Sequence, residues 1–329
     1  MNYFDSDAAI VIQTPAKLNL FLELLAKRPD GFHEIETLMS AINIYDRLYV
    51  TSLSEGQTQL TCRWASGMEA LSTSRNGSKT SATLDELPMG SDNIVWKAVE
   101  QLRLRAGIAA GIAIHLVKRI PAAAGLGGAS SDAAAALVAA NRLWGLGWTR
   151  NRLAEVAAEI GSDIPFFLAP RTNGAGMAVC RGRGEQIEPL AGMPQLHFVL
   201  TRPPVGLSTP GVYQRCKVPA QPKSAAPLIE KLRSGDHLAG QLLVNRLQPP
   251  AEELSPWIRR MSELFAKTDC VGHQMSGSGS SYFGICRSAR HARCLATRIR
   301  AAGYELTFQV SSAPHLHRIE TKRIETAPL

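Results

Sequence analysis

The chain has 329 residues, of which 45% are hydrophobic and 19% charged, and it carries a formal net charge of +8. This length and composition predict an ordered globular protein, with room for two domains, and exclude a chain that is disordered throughout. No apolar run approaches the roughly 20 residues that span a bilayer, and the acidic N-terminus is unlike a basic targeting peptide, so we predict a cytoplasmic protein without a membrane partner.

Cysteine spacing and charge distribution narrow the function classes further. The six cysteines contain no Cys-x-x-Cys pair, which argues against both a zinc site and a disulfide framework. Lysine and arginine are dispersed and do not form a stripe interleaved with aromatic residues, so we predict no nucleic-acid partner. A generally basic surface is the favoured reading of the net charge, and a polyanionic small substrate explains it as well.

The N-terminal segment predicts β-structure with two polar side chains on one face. Residues 8–25 are rich in β-compatible apolar residues and predict two strands broken at Pro15. Lys17 and Asn19 share a face of the second strand because side chains alternate, although a solvent-facing edge would show the same pattern. A Pro-Asp-Gly turn then displays Phe32 and His33, and residues 34–49 resume strand character.

The next part of the chain leads to a glycine-rich loop. Residues 51–92 are rich in Ser, Thr and Gly and predict an inserted β-hairpin region, most irregular over residues 70–81, to which we assign no function. Residues 95–106 predict an amphipathic helix with Asp92 or Asn93 as its cap. Residues 108–117 predict the strand that delivers the chain to the loop.

The glycine-rich loop predicts a phosphate cradle. Residues 121–131 read Pro-Ala-Ala-Ala-Gly-Leu-Gly-Gly-Ala-Ser-Ser and run into an alanine-rich helix that we expect to begin near Ser130 and to end near Gly145. Glycines let backbone N–H groups approach a ligand, and the N-terminus of a helix attracts anions. The loop lacks the lysine of a Walker A motif and the third glycine of a dinucleotide loop. A plain helix N-terminus with Ser130 as its cap stays open.

Two candidates follow in the second half of the chain. Residues 149–160 predict a helix that ends at Gly161. Asp163 follows as an acid within an apolar run, where it is either a functional carboxylate or the cap of a short helix opened by Pro165.

Residues 174–188 are turn-rich, and residues 196–201 predict a short buried strand. Tyr213 is equally a core tyrosine or a binding aromatic. Residues 275–281, Met-Ser-Gly-Ser-Gly-Ser-Ser, form a second loop, and residues 314–329 predict a loosely held tail.

Several of these segments together resemble a known family. Residues 121–131 are similar to the ATP-binding motif of the GHMP kinases. Pro15-Ala-Lys-Leu-Asn-Leu-Phe-Leu22, with Arg28-Pro-Asp-Gly-Phe-His-Glu-Ile35, resembles the 4-diphosphocytidyl-2-C-methyl-D-erythritol kinase family within that superfamily. Gly161-Ser-Asp-Ile-Pro165, the segment around Tyr213 and the second glycine loop match further elements of the same family, in the expected order.

The resemblance implies a fold. We expect a two-domain GHMP kinase of mixed α/β (α+β) class. Residues 1–171 would form a β-rich ATP-binding α/β domain with the phosphate-loop helix, and residues 172–329 a ferredoxin-like α+β domain. ATP and substrate would meet between them.

The resemblance also implies a reaction and its residues. The chain would transfer the γ-phosphoryl group of ATP, with Mg²⁺, to the 2-hydroxyl of 4-diphosphocytidyl-2-C-methyl-D-erythritol, a small molecule with a cytidine diphosphate group, in non-mevalonate isoprenoid synthesis. Lys17 and Asp163 would be catalytic. ATP would be bound by Pro121, Ala122, Ala123, Ala124, Gly125, Leu126, Gly127, Gly128, Ala129, Ser130 and Ser131. Substrate would be bound by Asn19, Phe32, His33, Tyr213, Gly277, Ser278 and Gly279. The sequence identifies neither Mg²⁺ ligands nor an oligomeric state.

Two alternatives stay open. Another GHMP small-molecule kinase, of the mevalonate or homoserine type, would share the loops but act on a different alcohol. A nucleotide- or RNA-binding protein would use the loop without catalysis, and it would bind nucleic acid in a salt-sensitive manner. The presence of both Lys17 and Asp163 argues against this second alternative.

Overall fold

The computed structural model describes residues 8–53, 56–68, 87–170, 172–313 and 317–323. The strands are β1 (Ala8–Lys27), β2 (His33–Leu53), β3 (Thr58–Trp64), β4 (Gly111–Lys118), β5 (Met177–Arg181), β6 (Gln186–Leu190), β7 (His197–Thr201), β8 (Val244–Asn245), β9 (Gly272–Met275), β10 (Tyr282–Cys286), β11 (Thr307–Ser311) and β12 (Arg318–Arg323). The α-helices are α1 (Ile94–Ala106), α2 (Gly128–Leu143), α3 (Arg150–Ile160), α4 (Ile164–Leu168), α5 (Thr209–Gln214), α6 (Ala226–Arg233), α7 (Gln248–Leu254), α8 (Pro256–Ala266) and α9 (Ala289–Ala301).

The first sheet is built on one long hairpin. Its strand order is β12-β1-β2-β4-β3. Three further strands lie off this path: β5 pairs with β2, β6 pairs with β5, and β8 pairs with β1. The predicted break at Pro15 is wrong, since β1 runs unbroken from Ala8 to Lys27. Pro15 instead sits at a bulge, where the register with β2 shifts between Pro15 and Ala16. A bulge tolerates the missing N–H donor of proline, so the strand bends without ending.

Helices cover one face of this sheet. Asn93 caps α1 by accepting a hydrogen bond from the Val95 amide, as predicted, and Gly107 ends it in the left-handed region with φ of 63°. The alanines of α2 are buried against β1 and β2 in a core that also contains Leu48 and Val50. Because alanine side chains are small, the α2 backbone can lie close to the sheet and carry the glycine loop over its strands.

The second sheet is antiparallel and has the strand order β11-β7-β10-β9. In chain order these strands alternate with helices as β7, α8, β9, β10, α9 and β11. This succession and the 4-1-3-2 strand order make a ferredoxin-like α+β unit, which confirms the predicted fold class. Apolar residues of α8 and α9, among them Phe265 and Leu295, pack with Tyr282 of β10 in one core.

Several segments differ from the sequence-based expectation. Residues 318–323 are not a loose tail, because they form β12 and pair antiparallel with β1. The turn-rich segment 174–188 contains the β5–β6 hairpin, which joins the first sheet through β2. The first sheet therefore draws strands from both sides of the expected boundary at residue 171. Within segment 51–92, residues 58–64 form β3, parallel to β4; residues 70–81 lie outside the described residues.

Two acidic residues of the first sheet tie it to the second half of the chain. Glu23 and Glu36 face each other across β1 and β2. Glu23 accepts two hydrogen bonds of 2.7 Å from Arg246, and Glu36 accepts one of 2.7 Å from the Ala225 amide. Burial opposes the charge on Glu23, but the hydrogen bonds from Arg246 and two backbone amides outweigh it and lower its pKa.

In the part of the chain that the structure describes, no helix is long and apolar enough to cross a membrane.

Candidate active site

A cleft of about 550 Å³ lies where the two sheets meet. Its floor is the middle of β1, its near wall the first glycine loop and its far wall the second. Ten of the eleven residues predicted to bind ATP, from Pro121 to Ser130, line it, together with Lys17, Asn19, Asp163, Tyr213, Gly277, Ser278 and Gly279. Segments more than 250 residues apart in sequence, such as Lys17 and Ser278, therefore share one cavity.

The first glycine loop has the geometry of an anion cradle. Gly125 and Gly127 have φ angles of 71° and 65°, in the region that only glycine adopts without strain. Helix α2 begins at Gly128, two residues earlier than predicted, and no side chain caps it. The first amides of the helix therefore lack capping partners and lie beside the cleft, where they can bind an anion.

The two glycine loops are cross-linked by hydrogen bonds. The Ser276 hydroxyl donates to the Gly125 carbonyl at 3.0 Å, and the Ser281 amide donates to the Ala124 carbonyl at 3.1 Å. A Cβ atom on Gly125 would lie 2.2 Å from the Ser276 carbonyl oxygen. Asn245 supports the second loop from behind, since its amide nitrogen donates to the Met275 and Gly277 carbonyls, each at 2.8 Å.

Lys17 and Asp163, predicted from separate motifs, form an ion pair. The Lys17 ammonium lies 3.3 Å from Asp163 Oδ2, with the lysine buried and the aspartate one-third exposed. The Lys17 ammonium also donates to Asn19 Oδ1 at 2.5 Å, and the Lys17 amide donates to the Leu126 carbonyl at 2.9 Å. The pair thus sits directly against the phosphate loop, and its carboxylate is open to the cleft.

Asp163 does not act as a helix cap. It stands at the N-cap position of α4, but its side chain makes no capping hydrogen bond and its backbone is in the helical region, with φ of −84° and ψ of −13°. The alternative interpretation of Asp163 is therefore wrong. Its carboxylate is free for the cation and for the cleft.

Asn19 and Ser131 have their polar atoms engaged within the protein. Asn19 is buried, holds Lys17 with its oxygen and donates from its nitrogen to Thr37 at 2.8 Å. Ser131 is also buried, and its hydroxyl donates to the Pro15 carbonyl at 2.6 Å, at the bulge of β1. The predicted use of the Ser131 hydroxyl by phosphate does not agree with this position, because the side chain joins α2 to β1. Ser130 lines the cleft.

Tyr213 lines the cleft near Asp163, and His33 packs against Tyr213 but is not itself a lining residue. The rings of His33 and Tyr213 lie 5.5 Å apart and tilted by 33°. Burial, with the charge of Asp163 nearby, raises the pKa of the Tyr213 phenol, so it stays protonated. Phe32 is 52% exposed and reaches the cleft only through Arg183, whose guanidinium lies 5.0 Å from the centre of its ring.

A buried charged group lies beneath the phosphate loop. Lys118 contacts Asp46 and lies 2.5 Å from Asp132 of α2, and all three are almost fully buried. Burial opposes the charge on Lys118, but Asp132 and Asp46 outweigh it, so its pKa is raised. Burial, reinforced by Asp46, raises the pKa of Asp132 well above its usual range despite the attraction of Lys118.

The two carboxylates differ in their hydrogen bonds. Asp46 accepts from Lys118 and from the Arg119 and Ile120 amides at 2.5 and 2.8 Å, whereas one oxygen of Asp132 has no partner. Fewer hydrogen bonds to Asp132 therefore leave the rise in its pKa from burial only partly offset, and Asp46 holds the segment that leads into the loop.

Crowding at Gly127 predicts the effect of a single methyl group. A Cβ atom there would lie 2.9 Å from Lys17 Cγ and 3.3 Å from Phe167, so Gly127→Ala must displace the Lys17 side chain. We expect the turnover number to fall about 10-fold to 100-fold, the scale of a misplaced reacting group. Gly145→Ala is the matched control, because Gly145 has φ of 63° but nothing within 4 Å. Equal turnover in the two folded variants would show that crowding at Lys17 is unimportant.

Comparison with known proteins identifies the family. The protein-family model described as GHMP kinases N terminal domain matches residues 93–170, and the one described as GHMP kinases C terminal matches residues 225–305. A 4-diphosphocytidyl-2-C-methyl-D-erythritol kinase of Pelotomaculum thermopropionicum is 36% identical over 304 residues, covering 92% of this chain and 97% of the relative. The chain belongs to the 4-diphosphocytidyl-2-C-methyl-D-erythritol kinase family. A member from Synechococcus sp. (strain CC9605) is 39% identical over 317 residues, covering 89% and 94% of the two chains.

A solved structure agrees with this assignment. The crystal structure of a 4-(cytidine 5'-diphospho)-2C-methyl-D-erythritol kinase superposes with a TM-score of 0.72 at 30% identity, over 92% of this chain and 99% of that one. The resemblance stated from these sequence segments is therefore confirmed, and the chain is a kinase of the GHMP type.

Sequence reasoning missed several residues around this kinase cleft. Arg183 lines the cleft beside Phe32, and Cys62, Leu87, Pro88 and Asn93 form another part of its wall. Arg183 lies in a run, Arg181-Gly-Arg-Gly-Glu185, whose two glycines flank it and signalled only a turn. The Lys118 group was also missed, although Asp132 directly follows the predicted ATP motif.

Proposed function

We propose that the chain transfers the γ-phosphoryl group of ATP to the 2-hydroxyl of 4-diphosphocytidyl-2-C-methyl-D-erythritol. The observation that carries the proposal is the Lys17–Asp163 pair, which lines one cleft together with the first glycine loop and with Tyr213, whose ring packs against His33. The groups that would hold the nucleotide, the reacting atoms and the base then lie together, as the reaction needs. The cytoplasmic location stays a prediction.

Lys17 and Asp163 have complementary tasks in this reaction. Phosphoryl transfer depends on positioning and on neutralising charge. The Asp163 carboxylate, open to the cleft, is placed to accept or orient the proton of the attacking hydroxyl. Lys17 keeps that carboxylate ionised and is placed to stabilise charge on the attacking oxygen. Asn19 acts through Lys17, because its buried oxygen fixes the ammonium 2.5 Å away.

The triphosphate of ATP would lie against the amides of Gly127, Gly128 and Ala129, and Mg²⁺ would neutralise part of its charge. Described residues provide no cluster of three or more His, Cys, Asp or Glu side chains for a metal. Kinases hold Mg²⁺ mainly through nucleotide phosphates, with one or two protein oxygens. Asp163 and Ser130 line the cleft and offer such oxygens, so the residues present fit a nucleotide-bound ion.

The His33–Tyr213 pair suits a cytosine ring. Two aromatic rings 5.5 Å apart offer flat apolar faces, and a neutral imidazole carries one donor and one acceptor for the edge of a base. Burial, with a smaller effect of Lys27, lowers the pKa of His33 below 6.5, which keeps the imidazole neutral near pH 7. Mevalonate and homoserine carry no base, so a kinase for either has no need of this pair.

Replacing His33 is expected to separate substrate binding from ATP binding. His33→Ala removes one aromatic face and the edge contact, so we expect the affinity for CMP to fall by about 1 to 3 kcal/mol, by analogy with base stacking, and ATP affinity to stay within error. Calorimetric titration measures both. His197→Ala is the control, because the His197 ring forms a hydrogen bond with the Ser311 hydroxyl and does not line the cleft. Unchanged CMP affinity in His33→Ala would remove the cytidyl site from this end of the cleft.

The protonation of His33 predicts a pH dependence. Since its pKa lies below 6.5, the imidazole is neutral above this pH and gains a proton only at lower pH, when it loses its acceptor. We expect cytidine, which has no phosphate to titrate, to bind with constant affinity above pH 6.5 and more weakly below it. His33→Ala should abolish this dependence, and a persisting decline would assign it to another group.

Direct assay decides between the candidate reactions. Three parallel reactions contain the protein, Mg-ATP and one acceptor each, which is the cytidyl substrate, mevalonate or homoserine. ADP release is measured in each reaction. We expect release with the cytidyl substrate alone. Release with mevalonate or homoserine instead would support another GHMP kinase, and no release in any reaction, with salt-sensitive RNA binding, would support a non-catalytic protein.

A further inference from the structure

A second cavity, of about 860 Å³, lies on the opposite face of the first sheet from the helices. Arg47 and Tyr49 line it and alternate along β2 with Leu48, which belongs to the core beneath the helices. The ends of β3 and β4 close one side, and Phe308 and Gln309 of β11 close another. It shares no lining residue with the kinase cleft.

Four arginines make this cavity strongly basic. Arg47, Arg63 and Arg119 come from the first sheet and its loops, and Arg300 comes from the end of α9. Within the described residues, no carboxylate lies within 4.0 Å of any of these four guanidinium groups. Asp46 also lines the cavity, but its oxygens already accept hydrogen bonds from Lys118 and two amides. Among the described residues, the excess positive charge of the cavity is therefore not balanced.

Two of the arginines are anchored in a way that leaves donors available. Arg300 Nε donates to the Thr307 carbonyl at 2.9 Å, and Arg63 Nε donates to His115 Nε2 at 3.2 Å. In both, the terminal nitrogens are left for a ligand while the guanidinium is held in place. A guanidinium group that is already held in place can donate two hydrogen bonds to the oxygens of a phosphate group, and its side chain loses little conformational entropy on binding.

The cavity also has apolar surface. Met68, Tyr49 and Phe308 line it beside the arginines. A volume of this size is that of a small-molecule site, and guanidinium groups on several sides of a concave pocket suit a compact polyanion better than an extended strand.

We propose that this cavity is a second ligand site, which binds a small molecule carrying a diphosphate group. The diphosphate would lie between Arg119, which directly follows β4, and Arg300 of the ferredoxin-like unit, and an apolar remainder of the ligand would contact Phe308 and Met68. Because Arg119 lies two residues before Pro121, the site adjoins the chain that enters the phosphate loop.

Titration of the full chain with inorganic diphosphate tests the proposal. The kinase cleft is first saturated with a non-hydrolysable ATP analogue, and binding is measured by calorimetry at low ionic strength. We expect one further site, whose affinity falls about 10-fold or more in the double variant Arg119→Ala, Arg300→Ala, the scale for losing charge-assisted hydrogen bonds. Turnover without added diphosphate should be unchanged, which shows that the variant is folded.

Arg290→Ala is the matched control, because Arg290 is an exposed arginine of the same helix as Arg300 and does not line the cavity. Its affinity for diphosphate should equal that of the unmodified chain. The proposal is overturned if the analogue-loaded protein binds no diphosphate, or if Arg290→Ala weakens binding as much as the double variant. It is also overturned if a single-stranded oligonucleotide binds more tightly than diphosphate at the same arginines, since a nucleic-acid surface would then be present.

Discussion

Asp163→Asn is expected to lower the turnover number about 10²-fold or more, with little change in the KM for ATP. The substitution preserves the shape of the side chain but removes the carboxylate that lies 3.3 Å from Lys17 and faces the cleft. A positioned acid or base contributes about 10²-fold to 10⁴-fold to a rate, and an amide cannot accept the hydroxyl proton. Steady-state kinetics with the cytidyl substrate measure both constants.

Two controls separate chemistry from structure at this position. Asp92→Asn changes another carboxylate that lines the cleft, and turnover should be retained because Asp92 makes no contact with Lys17. Since Asp163 forms no capping hydrogen bond, the melting temperature of Asp163→Asn should stay close to that of the unmodified chain. Near-normal turnover combined with a lowered melting temperature would return Asp163 to a structural role.

Local sequence was sufficient for the parts of the site that lie on continuous segments. The glycine loop and its helix are one run of residues, so their chemistry is visible without the fold. Lys17 and Asp163 were each found from short motifs, but the motifs do not show that the two side chains form an ion pair. Their meeting depends on β1 and α4 packing against the same helix, which local patterns do not describe.

Long-range contacts account for most of what the sequence did not predict. Lys118 and Asp46 are 72 residues apart, and each alone resembles an ordinary charged residue of a strand. Residues 318–323 lack an apolar periodicity, yet they form β12, because backbone pairing with β1 supplies the hydrogen bonds. At Pro15, the propensity of the residue was read correctly, but the bulge that accommodates it depends on β2.

The alternative roles of Asn19 and Ser131 show the same limit in the site itself. Alternation along β1 correctly placed Asn19 on the same face as Lys17. It could not show that the side-chain amide of Asn19 forms its hydrogen bonds with Lys17 and Thr37. Ser131 follows Ser130 in the motif, and a helical step of about 100° separates their side chains. One therefore lines the cleft and the other bonds β1.

Lys118→Met is expected to destabilise the protein by about 3 to 5 kcal/mol, the cost of leaving a buried charge without its partner. The ammonium contacts Asp46 and Asp132 in a group that is almost fully shielded from water, and methionine leaves both carboxyl groups uncompensated. Because the pKa of Lys118 is raised above 10.5, its stabilising effect is complete at every pH below that value. Urea unfolding at neutral pH measures the loss.

Asp132→Asn is the informative partner of this variant. A carboxyl group whose folded pKa is raised above 3.8 takes up a proton on folding, so it makes the protein less stable as the pH rises through that interval. An amide mimics the protonated form, and we therefore expect Asp132→Asn to cost little and to flatten this pH dependence. Combined with Lys118→Met it should recover part of the lost stability, because one fewer buried charge then lacks a partner. A double variant less stable than Lys118→Met alone would mean that Asp132 is ionised and bound to a group other than Lys118.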